Sequence, residues 1–187
     1  MIRLGNHYLL CGDSAQAADV DRLLNGAAIH LINTDPPYNV KVEPRSNNAI
    51  AAGLSSFEST THHQKLDVAR HPSKAQATHK KLRAKDRPLE NDFVSDQAFD
   101  ELLDSWFANM SRVLVPGGGY YIWGGYANIA NYPAPLQRHG LYFSQTIIWS
   151  KGWPVLTRKD FMVAHEWCFY GWREGRCSPL LRAQQRN

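Results

Sequence analysis

The chain has 187 residues, of which 43% are hydrophobic, and this composition fits a globular domain with a buried core and excludes a disordered tail. No run of about 18 apolar residues occurs, and the N terminus lacks a charged-then-apolar signal pattern, so neither a membrane span nor a secretory signal is predicted. The net charge of +4 is compatible with a polyanionic partner without requiring one. Three unevenly spaced cysteines indicate a reduced, cytoplasmic protein.

The first forty residues predict a strand, a helix and a second strand. A short apolar run over 8–11 ends at Gly12 and Asp13, and Val20, Leu23 and Leu24 share one helical face. Residues 28–33 have the pattern of a buried strand. Because this order is typical of parallel sheets, the predicted fold class is α/β with a mostly parallel sheet.

Residues 41–90 differ from the rest in composition. This stretch contains ten Lys or Arg residues against five acids and few apolar residues. Fifty residues without periodicity form either a functional insertion or a flexible surface loop. In the first case, Lys80, Lys81 and Arg83 are candidates for contacts with DNA phosphates.

Regular patterns return after residue 91. Ser95 can cap a helix over 96–114, an interrupted helix is expected over 126–138, and strands are expected over 120–123, 141–149 and 162–172. We therefore predict one catalytic region over 1–176, which includes the basic insertion, and an unpacked tail over 177–187. Several aromatic residues of this half are expected in the core: Trp106, Phe107, Tyr120, Tyr121 and Trp123.

The sharpest motif is Asp35-Pro36-Pro37-Tyr38, which directly follows the predicted buried strand. Strand ends of this kind bind ligands in open α/β sheets. The Asp35 carboxylate and the Pro36 carbonyl can accept the two hydrogens of a conjugated amine, and the prolines preorganise the turn. Tyr38 offers a flat face to a flipped base. On these four residues alone, a rigid structural turn remains the alternative.

Five segments in order resemble the permuted (β-class) DNA amino-methyltransferases, from about Asn6 to Arg173. They are Leu10-Cys11-Gly12-Asp13-Ser14, Asp35-Pro36-Pro37-Tyr38-Asn39-Val40, Arg112-Val113-Leu114-Val115-Pro116-Gly117-Gly118 with the strand after it, Ile147-Ile148-Trp149-Ser150-Lys151, and Ala164-His165-Glu166. The resemblance implies a Rossmann-like methyltransferase sheet, S-adenosylmethionine as cofactor and double-stranded DNA as partner.

The resemblance also implies roles for single residues. Asp35, Pro36, Pro37 and Tyr38 correspond to the catalytic motif, while Asp13 and Asp35 are expected beside the cofactor. Trp149, Lys151, His165 and Glu166 are expected at the base pocket, with a core or solvated role as the alternative for each. An initial Asp favours adenine N6 over cytosine N4. Methylation at cytosine C5 is disfavoured because no cysteine follows a proline.

The glycine-rich cofactor turn of this family, Phe-x-Gly-x-Gly, does not occur in the sequence. We therefore expect a sheet that is incomplete at its C-terminal side, and a second chain or a missing C-terminal half that supplies the turn. The alternatives are a non-catalytic DNA-binding remnant, a cytosine-N4 enzyme, and a methyltransferase for RNA or a protein amide. No metal site is predicted, since His165 and Cys168 form a single His–Cys pair and no second pair has zinc-ligand spacing.

Overall fold

The computed structural model describes residues 1–39, 44, 47–55, 82, 87, 93–125, 128–155 and 160–176. The chain divides into two compact units, Met1–Tyr38 with Ser95–Asn187 and Asn39–Val94. In chain order the elements are β1 Ile2–Leu4, β2 His7–Leu9, α1 Ala17–Leu24, β3 Ile29–Thr34, α2 Asn47–Ala51, α3 Asp96–Val113, β4 Leu114–Gly124, α4 Pro133–Arg138, β5 Leu141–Val155 and β6 Val163–Arg173.

The N-terminal strands β1 and β2 form an exposed antiparallel hairpin, in which Ile2 pairs with Leu9. The loop after the hairpin is attached to α3 through Asn109, a buried side chain. Its amide nitrogen Nδ2 donates to the carbonyl oxygens of Ser14 and Ala15 at 2.9 and 3.0 Å. Because this amide is removed from water, these bonds satisfy a group that would be costly to leave unpaired.

The main sheet has four strands in the order β3-β4-β6-β5. Strands β3 and β4 are parallel, whereas β6 is antiparallel to both of its neighbours. The prediction of an α/β fold is confirmed, but the prediction of a mostly parallel sheet is wrong. The reason lies in the connection between β5 and β6, residues 156–162, which is too short for the crossover that a parallel pair requires.

Helices α3 and α4 contribute the side chains that build the core on one face of this sheet. Ser95 caps α3 as predicted, since its Oγ accepts a hydrogen bond from the Ala98 amide at 3.2 Å. Helix α3 buries several apolar side chains, and one of them, Phe107, meets Tyr132 edge-on at 5.6 Å. Tyr132 in turn packs against Phe169 of β6 at 5.0 Å. Each such ring buried contributes about 1.5–3 kcal/mol.

Gly171 allows a hydrogen bond to cross β6. The Tyr120 hydroxyl on β4 donates to the Tyr142 carbonyl on β5 at 3.0 Å, and a Cβ on Gly171 would lie 2.5 Å from that hydroxyl oxygen. A glycine is therefore required where the tyrosine passes over the middle strand.

Several predicted boundaries differ from those of the structure. Strand β4 begins at Leu114 instead of residue 120, and Gly117 within it has a φ of 79°. Helix α4 has six residues and begins at Pro133, which fits the first turn of a helix. The predicted tail over 177–187 and most of the insertion lie outside the described residues. No helix in the described ranges is long and apolar enough to cross a membrane.

Candidate functional site

An open cleft of about 290 Å³ lies at the carboxyl ends of the parallel strands β3 and β4. Strand β3 and the turn after it supply three of its residues, and β4, β5 and β6 supply one each. The lining residues are Asn33, Thr34, Asp35, Trp123, Trp149 and Glu166. Strand ends are where open α/β sheets bind ligands, so the position and the lining together make this cleft the candidate site.

Asp35 is the first residue beyond β3, and its side chain is exposed at the cleft. Its Oδ1 accepts a hydrogen bond from the Tyr38 hydroxyl at 2.5 Å. Pro36 and Pro37 are half-buried between them and restrict the backbone of the turn. The structure thus brings the first and last residues of the predicted catalytic motif into direct contact.

Burial raises the pKa of the Tyr38 phenol well above its usual range, and the hydrogen bond to Asp35 and the charges of Asp35 and Glu166 act in the same direction. The phenol is therefore neutral at physiological pH and acts as a donor.

Trp123 is a site residue that sequence reasoning assigned to the core. Its indole nitrogen Nε1 donates to Asn33 Oδ1 at 2.9 Å, and its ring meets the Trp149 ring edge-on at 5.8 Å. Its side chain is half-buried and lines the cleft. The sequence did contain a signal for this role. Trp123 is near the end of a strand that runs parallel to β3, and the ends of parallel strands reach the same edge of the sheet as Asp35.

The structure places Trp149 and Glu166 opposite each other on β5 and β6, hence on one face of the sheet. Trp149 is 53% exposed, so the alternative of a purely core role is wrong for it. Lys151 is half-buried rather than solvated. Its Nζ forms an ion pair with Glu166 Oε1 and lies 5.4 Å from the centre of the Trp149 ring.

Two other predicted site residues do not line the cleft. His165 is exposed and adjacent to Glu166 on β6, so strand alternation directs it to the opposite face. Asp13 lies in the loop after β2, where its Oδ1 accepts the Ala15 amide at 2.9 Å. Within the structure, Asp13 therefore has a turn-forming role.

The remaining predictions for the site concern DNA contacts and metals. Lys80, Lys81 and Arg83 lie outside the residues that the structure describes. Over the described ranges, no group of three or more His, Cys, Asp or Glu side chains could hold a metal ion.

Comparison with known proteins gives one family and several solved structures. A family model described as DNA methylase, for N6 and N4 methyltransferases, matches residues 29–176. The structure of M1.HpyAVI with S-adenosylmethionine is similar at 15% identity and a TM-score of 0.48. The matched region covers 88% of this chain and 52% of the M1.HpyAVI chain. TTHA0409, a putative DNA modification methylase of Thermus thermophilus complexed with S-adenosyl-L-methionine, is similar at 18% identity and a TM-score of 0.47. The matched region covers 97% of this chain and 60% of the TTHA0409 chain. This chain therefore spans between half and two thirds of the length of these structures.

Proposed function

Because this chain belongs to the DNA methylase family of N6 and N4 methyltransferases, we propose that it acts in methyl transfer from S-adenosylmethionine to an exocyclic amine in DNA, with adenine N6 as the acceptor. The observation that supports this most directly is the Asp35 carboxylate, which is exposed in an aromatic-walled cleft at the end of β3.

The chemistry requires acceptors for the amine hydrogens. The lone pair of an exocyclic amine is delocalised into the base, so the nitrogen is a poor nucleophile. In the proposed complex, Asp35 accepts one N–H and the Pro36 carbonyl accepts the other, which directs the lone pair out of the ring plane. Pro36 and Pro37 hold both acceptors in position before the substrate arrives, and this preorganisation lowers the barrier.

Tyr38 is proposed to contact the ring of a base that has left the duplex. Its phenol is neutral and already ordered by its bond to Asp35. A base taken out of the stack loses its neighbours, and an aromatic side chain replaces part of that stacking. Trp149 and Glu166 line the same cleft, and Lys151 pairs with Glu166. All three are proposed to contact the base, whereas His165 is proposed to act from outside the cleft.

The negative charge of Asp35 in the cleft suits the positive charge of the cofactor. S-adenosylmethionine supplies an activated methyl group on a sulfonium cation, and the carboxylate of Asp35 lines the cleft, whereas the charge of Glu166 is offset by Lys151. Asp35 is proposed to lie beside this cation, and Asp13 beside the adenosyl part. A second chain, or further sequence of the same protein, is proposed as the source of the glycine-rich turn. The cytoplasm remains the predicted location.

Adenine is favoured over cytosine N4 by the initial Asp of the motif. A DNA-binding protein without catalysis is a second candidate, since the basic stretch with Lys80, Lys81 and Arg83 can contact phosphates of double-stranded DNA without sequence choice.

The test is methyl transfer from labelled S-adenosylmethionine to unmethylated genomic DNA, followed by mass spectrometry of the released nucleosides. N6-methyladenine is the expected product, and Asp35→Asn should abolish it while leaving DNA retention unchanged. Appearance of N4-methylcytosine would overturn the choice of base. Salt-sensitive DNA retention with neither product nor cofactor binding by calorimetry would favour the second candidate.

A further inference from the structure

The structure leaves Trp123 without a role in the reaction described above, although its ring forms one side of the cleft. A half-buried indole at the mouth of a site contributes less to the core than a buried one. Its position is nevertheless well defined, because its N–H has a partner on a neighbouring strand, Asn33. Such a ring is suited to contact a ligand rather than to fill space.

Asn33 precedes Asp35 by two residues, and both line the cleft. The same strand end therefore presents the carboxylate that is proposed to accept the amine and the amide oxygen that orients Trp123. The distance from Trp123 Nε1 to Asn33 Oδ1 is 2.9 Å, which is ordinary for a hydrogen bond of this kind. A change in the angle of the Trp123 ring would thus require this bond to break.

Trp149 extends the aromatic surface across the cleft. It lies 5.8 Å from Trp123 with the two ring planes at 74°, and the ammonium group of Lys151 lies 5.4 Å from its ring centre. Glu166 pairs with Lys151 and restrains it. Trp123 is thus positioned by its hydrogen bond to Asn33, and Trp149 by its contact with Lys151, which is itself paired with Glu166.

We propose that Trp123 and Trp149 form an aromatic wall that binds an adenine-type ring, and that Asn33 is the positioning residue that sets the angle of Trp123. The inference rests on the proposed function, since it names the ring that the cleft would hold beside Asp35. A cleft of about 290 Å³ is at the lower end of small-molecule pockets, roughly 300–1,000 Å³, and suits one heteroaromatic ring better than a larger ligand. The ring belongs either to an unpaired DNA base or to the adenosyl group of the cofactor.

The indole N–H signals of the full chain in a ¹H–¹⁵N correlation spectrum test this wall directly. Trp123→Phe assigns the Trp123 signal by its disappearance. One sample receives a short single strand with one adenine among abasic positions, a second receives the fully abasic strand, and a third receives S-adenosylhomocysteine. We expect the adenine strand, S-adenosylhomocysteine or both to shift the Trp123 signal, and the abasic strand to leave it in place.

The ligand that shifts the signal identifies the source of the ring. Asn33→Leu, which cannot accept the indole hydrogen, should weaken binding of that ligand about tenfold, as expected for the loss of one stacking contact. Asn33→Asp keeps an acceptor and should restore most of the affinity. Trp153→Phe is the matched control, since Trp153 is 86% exposed and outside the cleft lining, and this variant should bind as the parent does.

If the Trp123 signal responds to none of the adenine-containing ligands, the proposed aromatic wall is wrong. If Asn33→Leu and Asn33→Asp weaken ligand binding equally, the proposed positioning role of Asn33 is wrong. The spectrum of each variant also reports whether it folds. Ring binding without methyl transfer would support the wall while the proposed reaction fails, so the two results are separable.

Discussion

The Tyr38 hydroxyl donates to Asp35 Oδ1 at 2.5 Å, so the side chains at the two ends of the Asp35–Tyr38 turn are joined by a hydrogen bond. The oxygen that is proposed to accept the amine hydrogen is already occupied. A substrate amine must therefore displace a neutral phenol, or share the carboxylate with it by using the second oxygen. The proposed role of the Tyr38 hydroxyl, which contacts Asp35, can therefore be tested separately from that of the ring.

Tyr38→Phe removes the hydroxyl and keeps the ring. We expect stacking to persist, and KM for DNA to fall severalfold because Asp35 is no longer occupied. Unfolding in urea should show a loss of about 0.5–1 kcal/mol for one hydrogen bond to an exposed carboxylate. Tyr38→Ala is the contrast, since it also removes the ring and should raise KM about tenfold. A rise in KM for Tyr38→Phe as large as that for Tyr38→Ala would assign the essential role to the hydroxyl.

Local signals allowed much of this fold to be predicted. The cap at Ser95 predicted helix α3, and the apolar run before Asp35 predicted the strand β3, because each pattern depends on neighbours in sequence. The expected burial of that strand is wrong, since β3 lies at the edge of the sheet and has no buried residue. The antiparallel position of β6 depends on which strands meet in space, which periodicity does not encode. Trp123 was assigned to the core because a tryptophan in an apolar strand predicts core equally well, although its place at the end of that strand was a signal for the site. The hydrogen bond from the Ala15 amide to Asp13 depends on the backbone conformation of the loop, which the sequence does not reveal.

Asp13 offers a test that separates a turn-forming role from contact with the cofactor. Asp13→Asn keeps an oxygen for the Ala15 amide, so folding stability should change little, whereas Asp13→Ala should lose about 1 kcal/mol. If the carboxylate contacts the cofactor, Asp13→Asn should weaken binding of S-adenosylmethionine about tenfold despite its normal stability. Calorimetric titration of both variants makes the distinction, and unchanged binding in Asp13→Asn would leave Asp13 with the turn alone.

Asp104 connects α3 to the end of α4 and should make stability depend on acid pH. Its Oδ1 accepts hydrogen bonds from His139 Nε2 at 2.9 Å and Arg138 Nε at 2.8 Å. The bond from His139 lowers the pKa of this carboxyl, and Arg138 adds to the effect. A carboxyl whose pKa is lowered by folding contributes stability above its unfolded pKa, near 3.8, and loses that contribution as pH falls through the folded value.

Asp104→Asn should therefore cost up to about 1 kcal/mol at pH 7, a modest value because the carboxylate is 41% exposed. The difference from the parent should shrink below pH 4. Urea unfolding at pH 7, 5 and 3 measures this, with Asp100→Asn as a control for the removal of one negative charge from the same helix. A difference that stays constant with pH would show that Asp104 contributes through packing instead of charge.

Tyr132 and Tyr120 form a matched pair for the effect of a buried hydroxyl. Both side chains are fully buried, but the Tyr120 hydroxyl bonds the Tyr142 carbonyl at 3.0 Å, whereas the Tyr132 hydroxyl has no partner among the described residues. Burial raises the pKa of both phenols above their usual range, and repulsion by Tyr38 once it is ionised and by the Asp35 carboxylate adds to the effect at Tyr132. A group with a raised folded pKa loses its contribution to stability as pH rises above the unfolded value, near 10.

We expect Tyr120→Phe to destabilise the protein by about 1 kcal/mol at pH 7, and Tyr132→Phe to be neutral or to stabilise it by a similar amount, because an unpaired buried hydroxyl costs free energy. Above pH 10 the parent should lose stability steeply, since each phenol ionises more readily in the unfolded chain, and either substitution should reduce that slope. Chemical denaturation of the three proteins at pH 7 and pH 10.5 measures both effects. If Tyr132→Phe were as costly as Tyr120→Phe at pH 7, the result would contradict an unpaired Tyr132 hydroxyl.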